Sequence, residues 1–323
     1  MEEIQLYLDI EQPEILSELF GLRDENVRVI EDETGVRIAM REGQIMITGQ
    51  ENAAQTARTV LKRLMLLLKK RENIDKSRIR YAIELAAEGR DELIDEIMSD
   101  VVAITYRGKQ IRAKTLGQSR YVSSMKKNTV GFGVGPAGTG KTFLAMAMAV
   151  MAFKNKEISR IILTRPAVEA GEKLGFLPGD LQHKVDPYLR PLYDALYEMM
   201  GAEAYARLAE RGVIEVAPLA YMRGRTLSDA FIILDEAQNT TNEQMKMFLT
   251  RLGEGSRAVI TGDLTQIDLP VGKTSGLKRA VSILEGIQGI GICHFSHKDV
   301  VRHELVQSII KAYENYDKKH EQK

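Results

Sequence analysis

Eight consecutive residues in the middle of the chain have the types and spacing of a loop that binds nucleotide phosphates. Residues 135–142 read GPAGTGKT, between the strand-like run TVGFGV and the helical run KTFLAMAMAVMAF. Glycines let backbone N–H groups curl around phosphate oxygens, and the start of the next helix adds its dipole. We expect Lys141 to reach the β- and γ-phosphates of ATP and Thr142 to ligate Mg²⁺. The residues assigned to nucleotide binding here are Gly135, Pro136, Ala137, Gly138, Thr139, Gly140, Lys141 and Thr142.

A pair of acidic residues follows a second apolar run. The sequence FIIL is typical of a buried strand, and Asp235 and Glu236 come directly after it. Ligands of open α/β sheets bind at the carboxyl ends of strands, so both carboxylates would face the nucleotide. We expect Asp235 to hold Mg²⁺, directly or through water, and Glu236 to act as the base that orients the attacking water. An ordinary strand exit would show the same pair, but the preceding phosphate loop favours the catalytic interpretation.

A third strand-like run, RAVIT, ends in the polar sequence GDLTQ at residues 262–266. Gln266 could sense the γ-phosphate with Asp263 in support, although a plain turn would read similarly. GDLTQ resembles the GDxxQ motif of superfamily 1 helicases, and the preceding LDEAQ fits the same comparison. In those helicases a glutamine upstream of the phosphate loop reads the adenine edge, and Gln118 stands at a similar place here. A surface glutamine is the alternative.

From Thr129 onward, short apolar runs alternate with helical segments. The predicted strands are TVGFGV, RIILT, VIEVAP, FIILD, RAVIT and IGICHF. Helices between consecutive strands imply a parallel sheet that is covered on both faces. We therefore predict an α/β fold of the P-loop NTPase, RecA-like class over residues 116–323, with residues 73–115 as connecting helices and a hairpin.

Residues 1–72 have a different pattern, in the order strand, helix, helix, strand, strand, helix. This order, with LFGLRDENVRVIEDETGVRI, resembles a type I KH domain, a small α+β module that binds RNA through a GxxG loop. The corresponding loop lacks the second glycine and carries Asp24 and Glu25, where phosphate would approach. The RNA clamp is therefore doubtful, and we expect this domain to bind RNA weakly on its own. A docking or oligomerisation domain is the alternative.

Composition narrows the function classes further. Lys+Arg and Asp+Glu are both 45, so a nucleic-acid site would have to be a local patch. Cys293 is the single cysteine, which excludes an intramolecular disulfide and a multi-cysteine zinc site. The acidic N-terminus does not resemble a signal peptide, and Leu64 to Leu68 is too short an apolar run to span a membrane. We expect a cytoplasmic protein without a membrane partner.

The whole set of motifs resembles the PhoH-like ATPases. The resemblance covers about residues 110–310, and the long segment TRPAVEAGEKLGFLPGDLQHKVDPYLRPLYDAL makes it specific, since P-loop proteins in general lack it. The KH-like N-terminus also suits the longer members of the family. The resemblance implies ATP and Mg²⁺ as cofactors and an ATPase with an RNA helicase-like or RNA-processing role.

Four arginines are candidates for contact with phosphate, RNA or a neighbouring subunit. Arg165 follows the strand RIILT, Arg302 lies in DVVRHELV, and Arg223 and Arg225 lie in YMRGRT. Arg302 and Arg165 are candidates for a role at the nucleotide, with Arg302 first and Arg165 second as an arginine finger. We expect Arg223 and Arg225 to contact RNA or another subunit. Each could instead pair with a carboxylate of the same chain.

Three functions fit these residues. The first is an ATP-driven enzyme that acts on RNA, and the second is an ATPase switch that scaffolds an RNA-processing or ribosome-assembly partner without unwinding. The third is a small-molecule kinase, which the motifs DEAQ and GDLTQ disfavour because they indicate water activation. Residues 267–323 are too few for the second lobe that superfamily 1 helicases close on ATP. We therefore expect a homo-oligomer, with a hexameric ring as one form, in which a neighbouring subunit supplies an arginine.

Overall fold

The computed structural model describes residues 3–10, 12–72, 74–95, 101–166, 181–270 and 272–301, together with residues 305, 306 and 309. These residues fall into two compact units. The first unit holds those up to 102 together with 110–119, and the second holds 103–109 together with those from 120 onward. The boundary thus falls within a hairpin and a helix. Residues 73–115, which the sequence analysis set apart, belong mostly to the first unit.

The first unit begins with the predicted order of strands and helices. Its three strands form an antiparallel sheet in the order β1-β3-β2. Ile45 and Ile47 alternate with outward residues along β3 and are fully buried, and the apolar side of α3 packs on the same core. The elements are β1 (Glu3–Asp9), α1 (Leu16–Phe20), α2 (Glu25–Thr34), β2 (Arg37–Arg41), β3 (Gln44–Gln50) and α3 (Glu51–Lys69).

The loop at residues 21–25, where a KH domain has its GxxG clamp, contains two non-glycine residues in the left-handed region. Arg23 has a φ of 54° and Asp24 a φ of 61°. Asp24 thus occupies the position of the missing glycine in a conformation that glycine adopts readily. The carboxylate of Glu25 lies 2.9 Å from the Lys76 ammonium. The backbone is left-handed at this turn, and the exposed carboxylate of Asp24 stands at the position of the second glycine.

The connecting segment packs with the first unit through α4 (Lys76–Ala87). Asp75 caps this helix by accepting a hydrogen bond from Arg78 N, and the buried Arg78 side chain donates to Ala113 O. The predicted hairpin is present as β4 (Val101–Ile104) and β5 (Gln110–Arg112), with Gly108 at a φ of 79° in its turn. Asp91–Leu93, in the segment predicted to hold connecting helices, forms a 3-10 turn, and residues 96–100 lie outside the described ranges.

The second unit contains a six-stranded parallel sheet flanked by helices, which confirms the predicted fold class. The strand order is β11-β6-β10-β9-β7-β8, and β9 is buried at every position. Within the described ranges, no helix is both long enough and apolar enough to cross a membrane. The strands are β6 (Val130–Val134), β7 (Arg160–Arg165), β8 (Ile214–Pro218), β9 (Ala230–Leu234), β10 (Arg257–Gly262) and β11 (Ile290–His294). The helices are α5 (Leu116–Lys127), which begins in the first unit, α6 (Lys141–Lys154), α7 (Leu181–Met200), α8 (Ala202–Glu210), α9 (Asn242–Leu249) and α10 (Gly276–Leu284).

The sheet order brings the three predicted chemical motifs to one edge. Strand β10 lies between β6 and β9, with Gly262 paired to Val134 and Ile260 paired to Leu234. Because all three strands run in the same direction, the residues that follow them emerge side by side. The phosphate loop, the acidic pair and GDLTQ therefore meet at the carboxyl edge of the sheet.

Candidate nucleotide-binding site

The glycines of the loop between β6 and α6 have both backbone and packing roles. Gly138 and Gly140 have φ values of 84° and 79°, and Gly140 caps the start of α6. At Gly135, with a φ of 151°, a side-chain carbon would lie 2.5 Å from the Phe295 carbonyl oxygen. Larger residues at these positions would therefore strain the loop. The loop ends at the helix N-terminus, where backbone N–H groups and the helix dipole attract anions.

Lys141 is the first residue of α6 and folds its ammonium group back into the loop. Its Nζ lies 2.7 Å from both Gly135 O and Pro136 O and 3.3 Å from Thr139 Oγ1. Burial lowers the pKa of this lysine, and three nearby carboxylates oppose that shift. The loop thus already holds a positive charge at its centre, bonded to carbonyl groups that a phosphate can replace.

Asp235 and Thr142 are in direct contact, so their oxygens lie close enough to bind one metal ion. Asp235 Oδ1 accepts hydrogen bonds of 2.7 Å from both Thr142 Oγ1 and Thr261 Oγ1. The Asp235 N–H donates to Thr164 O at 2.9 Å, which fixes the backbone after β9. Hydroxyl and carboxylate oxygens are the ligands that Mg²⁺ prefers. This pair therefore fits Mg²⁺, and Thr261 orients the carboxylate from β10.

Glu236, the predicted base, is held by two donors. Arg165 Nη2 lies 3.0 Å from its Oε1, and Gln238 Nε2 donates to its Oε2 at 2.5 Å. The Glu236 backbone is left-handed, with a φ of 52°, which is uncommon for glutamate. Such a conformation persists only where surrounding contacts hold it. The two donors therefore fix the direction of the carboxylate.

Asp263 connects GDLTQ to the phosphate loop. Its Oδ2 accepts a 3.0 Å hydrogen bond from Ala137 N, and its Oδ1 accepts from the Thr265 hydroxyl and N–H at 2.6 and 2.9 Å. Burial would raise the pKa of this carboxyl, but these bonds and the P-loop lysine together hold it below its usual value. Gln238 Oε1 accepts from Asp263 N at 3.0 Å, and Gln238 Nε2 lies 3.2 Å from Gln266 O. Gln238 thus joins the candidate base to GDLTQ.

One cavity of about 290 Å³ brings together half of the predicted site residues. The exposed side chain of Gln266 lies at this cavity, which suits the predicted contact with the γ-phosphate. Its lining residues are Ala137, Gly138, Gly140, Lys141, Thr142, Phe143, Asp235, Glu236, Gly262, Asp263 and Gln266.

Comparison with known proteins agrees with this geometry. A family model described as PhoH-like protein matches residues 110–314. A PhoH-like protein of Bacillus subtilis (strain 168) is 52% identical over 305 residues, which cover 94% of this chain and 96% of the relative. The chain belongs to the PhoH-like family. A PhoH-like protein of Mycobacterium tuberculosis (strain ATCC 25618 / H37Rv) is 52% identical over 306 residues, 94% of this chain and 86% of the relative. Protein PhoH of Escherichia coli (strain K12) is 47% identical over 205 residues, 63% of this chain and 58% of that protein.

The part of this PhoH-like chain that matches the family model contains every residue of the cavity. The site thus joins the GxxxxGK[ST] loop to the acidic pair after β9 and to the polar residues after β10. Among the described residues, no group of three or more His, Cys, Asp or Glu side chains could hold a metal ion by itself. With Thr142 and Asp235 as its protein ligands, Mg²⁺ would complete its shell with water and phosphate oxygens.

The four candidate arginines of the PhoH-like chain differ in their positions. Arg165 belongs to the site because its guanidinium forms an ion pair with Glu236. Arg225 forms a bidentate ion pair with Glu215, in which its Nη1 and Nη2 donate to the two carboxylate oxygens at 2.6 and 2.7 Å. This hydrogen bonding raises the pKa of Arg225. Arg223 is exposed. Contact of Arg223 or Arg225 with RNA or another subunit stays a prediction. Arg302 lies outside the described residues.

Gln118 belongs to the first unit, where its side-chain oxygen accepts a 2.7 Å hydrogen bond from Lys114 N. Its contact with adenine therefore stays a prediction. Thr261 and Gln238 were not predicted as site residues, although they belong to the motifs RAVIT and LDEAQ. Their polar side chains were the available signal, but Thr261 bonds to Asp235 after β9, and Gln238 bonds to Asp263 and Gln266 after β10, which the sequence does not show.

Proposed function

We propose that this PhoH-like chain is a Mg²⁺-dependent ATPase whose turnover is coupled to RNA. The observation that carries the ATPase assignment is the 2.7 Å hydrogen bond between Thr142 and Asp235. It unites the phosphate loop with the acid strand at the position of a Mg²⁺ ligand pair, beside Lys141 and Glu236 in one cavity.

Phosphate binding uses groups that are already in place. The N–H groups at the start of α6 donate to phosphate oxygens, and Lys141 exchanges its two carbonyl partners for the β- and γ-phosphates. Thr142 and Asp235 would hold Mg²⁺, which when bound supplies positive charge against the triphosphate. Asp263 keeps the loop in shape through Ala137 N. Little rearrangement of the backbone is then needed.

Hydrolysis requires a water molecule aligned with the γ-phosphorus. Glu236 accepts the proton of that water as the new P–O bond forms, and the bond from phosphorus to the ADP oxygen breaks. Arg165 and Gln238 hold the Glu236 carboxylate in a fixed direction during this step. A kinase would place an acceptor hydroxyl in the position of this water. The link from Glu236 through Gln238 to GDLTQ favours water as the attacking group.

The proposed coupling to RNA is supported by two motifs and the contacts that link them. LDEAQ and GDLTQ resemble helicase motifs, and the two are physically joined because Gln238 contacts both Glu236 and Asp263 N. A change in the GDLTQ segment would therefore reach the catalytic carboxylate. The alternative is an ATPase switch that scaffolds an RNA-processing or ribosome-assembly partner without unwinding.

ATP turnover with and without single-stranded RNA tests this coupling, with Lys141→Ala as the background control. We expect RNA to increase the rate, and displacement of a tailed RNA duplex would support a helicase-like role. Stimulation without displacement would favour an RNA-processing role. A rate indifferent to RNA at saturating concentrations would contradict coupling and favour the switch.

We also propose that the active form is a homo-oligomer in which Arg302 of one subunit acts at the nucleotide of the next. An arginine finger can contribute about 10³-fold or more to the rate. Mixing folded Lys141→Ala and Arg302→Ala proteins should restore part of the activity, since some interfaces then pair an intact loop with an intact arginine. A mixture that stays inactive despite subunit exchange would exclude Arg302 in trans.

A further inference from the structure

The turn of the hairpin, residues 104–109, presents an exposed aromatic ring in the second unit. Tyr106 is 52% exposed and Ile104 47% exposed. The Tyr106 ring lies against the backbone of Gly201, where a side-chain carbon would come within 3.4 Å of it. Arg107 lies 5.3 Å from the ring centre and donates through Nε to the Tyr106 hydroxyl at 2.7 Å. The ring is thus held in place by two contacts while much of its surface faces solvent.

Three cations lie in this turn or contact it. Arg107 and Lys109 are exposed, and Lys154 donates through Nζ to Ile104 O at 3.5 Å, which connects the turn to the end of α6. In the part of the chain that the structure describes, none of these three cations has a carboxylate within ion-pair distance. The charge is therefore uncompensated, in a chain whose formal net charge is zero.

A second exposed ring lies one helical turn from Gly201. Tyr197 is 39% exposed, and its carbonyl oxygen accepts a 2.9 Å hydrogen bond from Gly201 N. Its ring makes an edge-to-face contact with Tyr205 at 5.2 Å. A second aromatic pair thus lies close in the chain to the glycine that the Tyr106 ring contacts.

We propose that the hairpin turn 104–109 is a contact site for single-stranded RNA, in which a base stacks on Tyr106 and phosphates bind Arg107 and Lys109. Stacking on an aromatic side chain with cations alongside is the chemistry that binds unpaired strands without strong sequence preference. A duplex hides the faces of its bases and would leave the Tyr106 ring unused. This inference rests on the proposed coupling to RNA, and it identifies the surface at which the RNA would bind.

The location of the turn connects this contact to the nucleotide site. Lys154 is the last residue of α6 and Lys141 is the first. A helix of 14 residues spans about 21 Å, so RNA at the turn would not touch the nucleotide phosphates. The effect of RNA would pass through the rigid P-loop helix. Changes at Tyr106 should therefore leave the ATPase rate without RNA unchanged.

Fluorescence anisotropy with a labelled single-stranded RNA oligonucleotide tests the site in the full chain. We expect Tyr106→Ala to weaken binding about tenfold, as a lost base–aromatic stack does, and Tyr106→Phe to bind nearly as the wild type. Lys109→Gln should lower the slope of log affinity against log salt by about 0.7. Tyr7→Ala, a tyrosine 42% exposed in the first unit, and Lys278→Gln are the matched controls. Melting temperature and basal ATP turnover establish that each variant is folded.

The outcomes separate this inference from the proposed function. Wild-type protein that neither binds RNA nor responds to it would overturn both. Wild-type protein that binds RNA, with Tyr106→Ala equally tight and Lys109→Gln of unchanged salt slope, would overturn the site and leave the coupling intact. Equal competition by double-stranded RNA would overturn the single-strand assignment. Ultraviolet cross-linking should attach RNA to the peptide that contains Tyr106 and leave the Tyr7 peptide unlabelled.

Discussion

Two glycine-containing loops in this chain lead into helices. They differ in which residues occupy the left-handed backbone positions and in the sign of the charge beside them. In residues 135–142 the left-handed positions belong to glycines, and Lys141 supplies a positive charge at the helix start. In residues 21–25 the corresponding left-handed position belongs to Asp24, whose exposed carboxylate repels phosphate. The first loop combines left-handed glycines with a cation, and the second places an exposed carboxylate at its left-handed position.

The comparison shows that a phosphate loop depends on its neighbours as well as its own residues. Asp263 from β10 holds Ala137 N, and Phe295 fills the space beside Gly135. In the loop of the first unit, Glu25 forms an ion pair with Lys76. This pair positions a carboxylate at the loop rather than a hydrogen-bond donor for phosphate. Changes in the two loops should therefore have very different consequences.

The largest effect is expected from Lys141→Ala. Loss of the preorganised cation should lower ATP turnover by about 10³-fold and weaken nucleotide binding, since its charge is the main partner of the β- and γ-phosphates. Phosphate release and nucleotide titration measure the two effects. Lys278→Ala, at an exposed lysine of the same unit, should retain the wild-type rate. Full turnover by Lys141→Ala would place the active site elsewhere.

Asp263→Asn should have an intermediate effect, on stability. An amide cannot replace a carboxylate that accepts three hydrogen bonds, so the free energy of unfolding should fall by roughly 1–3 kcal/mol. Because folding lowers the pKa of Asp263, its contribution is complete above the usual value of 3.8 and is lost as pH falls through the lower folded value.

Denaturant titrations at several pH values check this expectation. The difference between wild type and Asp263→Asn should be constant near neutral pH and shrink below about pH 3.8. Asp268→Asn, an exposed carboxylate in the same segment, is the control and should change little. A difference that grows on acidification would have the wrong sign for this mechanism.

Motifs with strict spacing could be predicted because the residues that carry their chemistry lie close together in the sequence. The GxxxxGK[ST] pattern between a strand and a helix located the loop at 135–142, and FIILDE located the acidic pair. The short apolar runs also predicted the strands of the parallel sheet, because burial on both faces imposes that pattern. The parallel sheet followed from the alternation of these runs with helical segments.

Contacts between distant segments were not predictable in the same way. The position of β10 between β6 and β9 depends on packing of the whole sheet, and it brings Thr261 to Asp235. Arg165 was a candidate for an arginine finger, but the pairing of its guanidinium with Glu236 depends on β7 lying beside β9. Arg225 pairs with Glu215 on β8 for a similar reason.

The smallest effect is expected from Asp24→Gly, which restores the GxxG pattern. Glycine accepts the left-handed backbone at this position, so the free energy of unfolding should rise by up to about 1 kcal/mol. RNA affinity should rise slightly because one carboxylate is removed. Asp24→Ala removes the same charge without easing the backbone and should gain no stability. Lower stability in Asp24→Gly would contradict the strain assigned to this turn.

Trapping of nucleotide by Glu236→Gln tests the central claim most directly, which is that the cavity between the phosphate loop and β9 is preassembled for ATP hydrolysis. The amide fills the same space and cannot take a proton from water. We predict that this variant binds ATP with nearly wild-type affinity, that turnover falls by roughly 10² to 10⁴-fold, and that the bound nucleotide recovered after incubation is ATP. Recovery of ADP at the wild-type rate, or an equal loss of binding and turnover, would contradict the account.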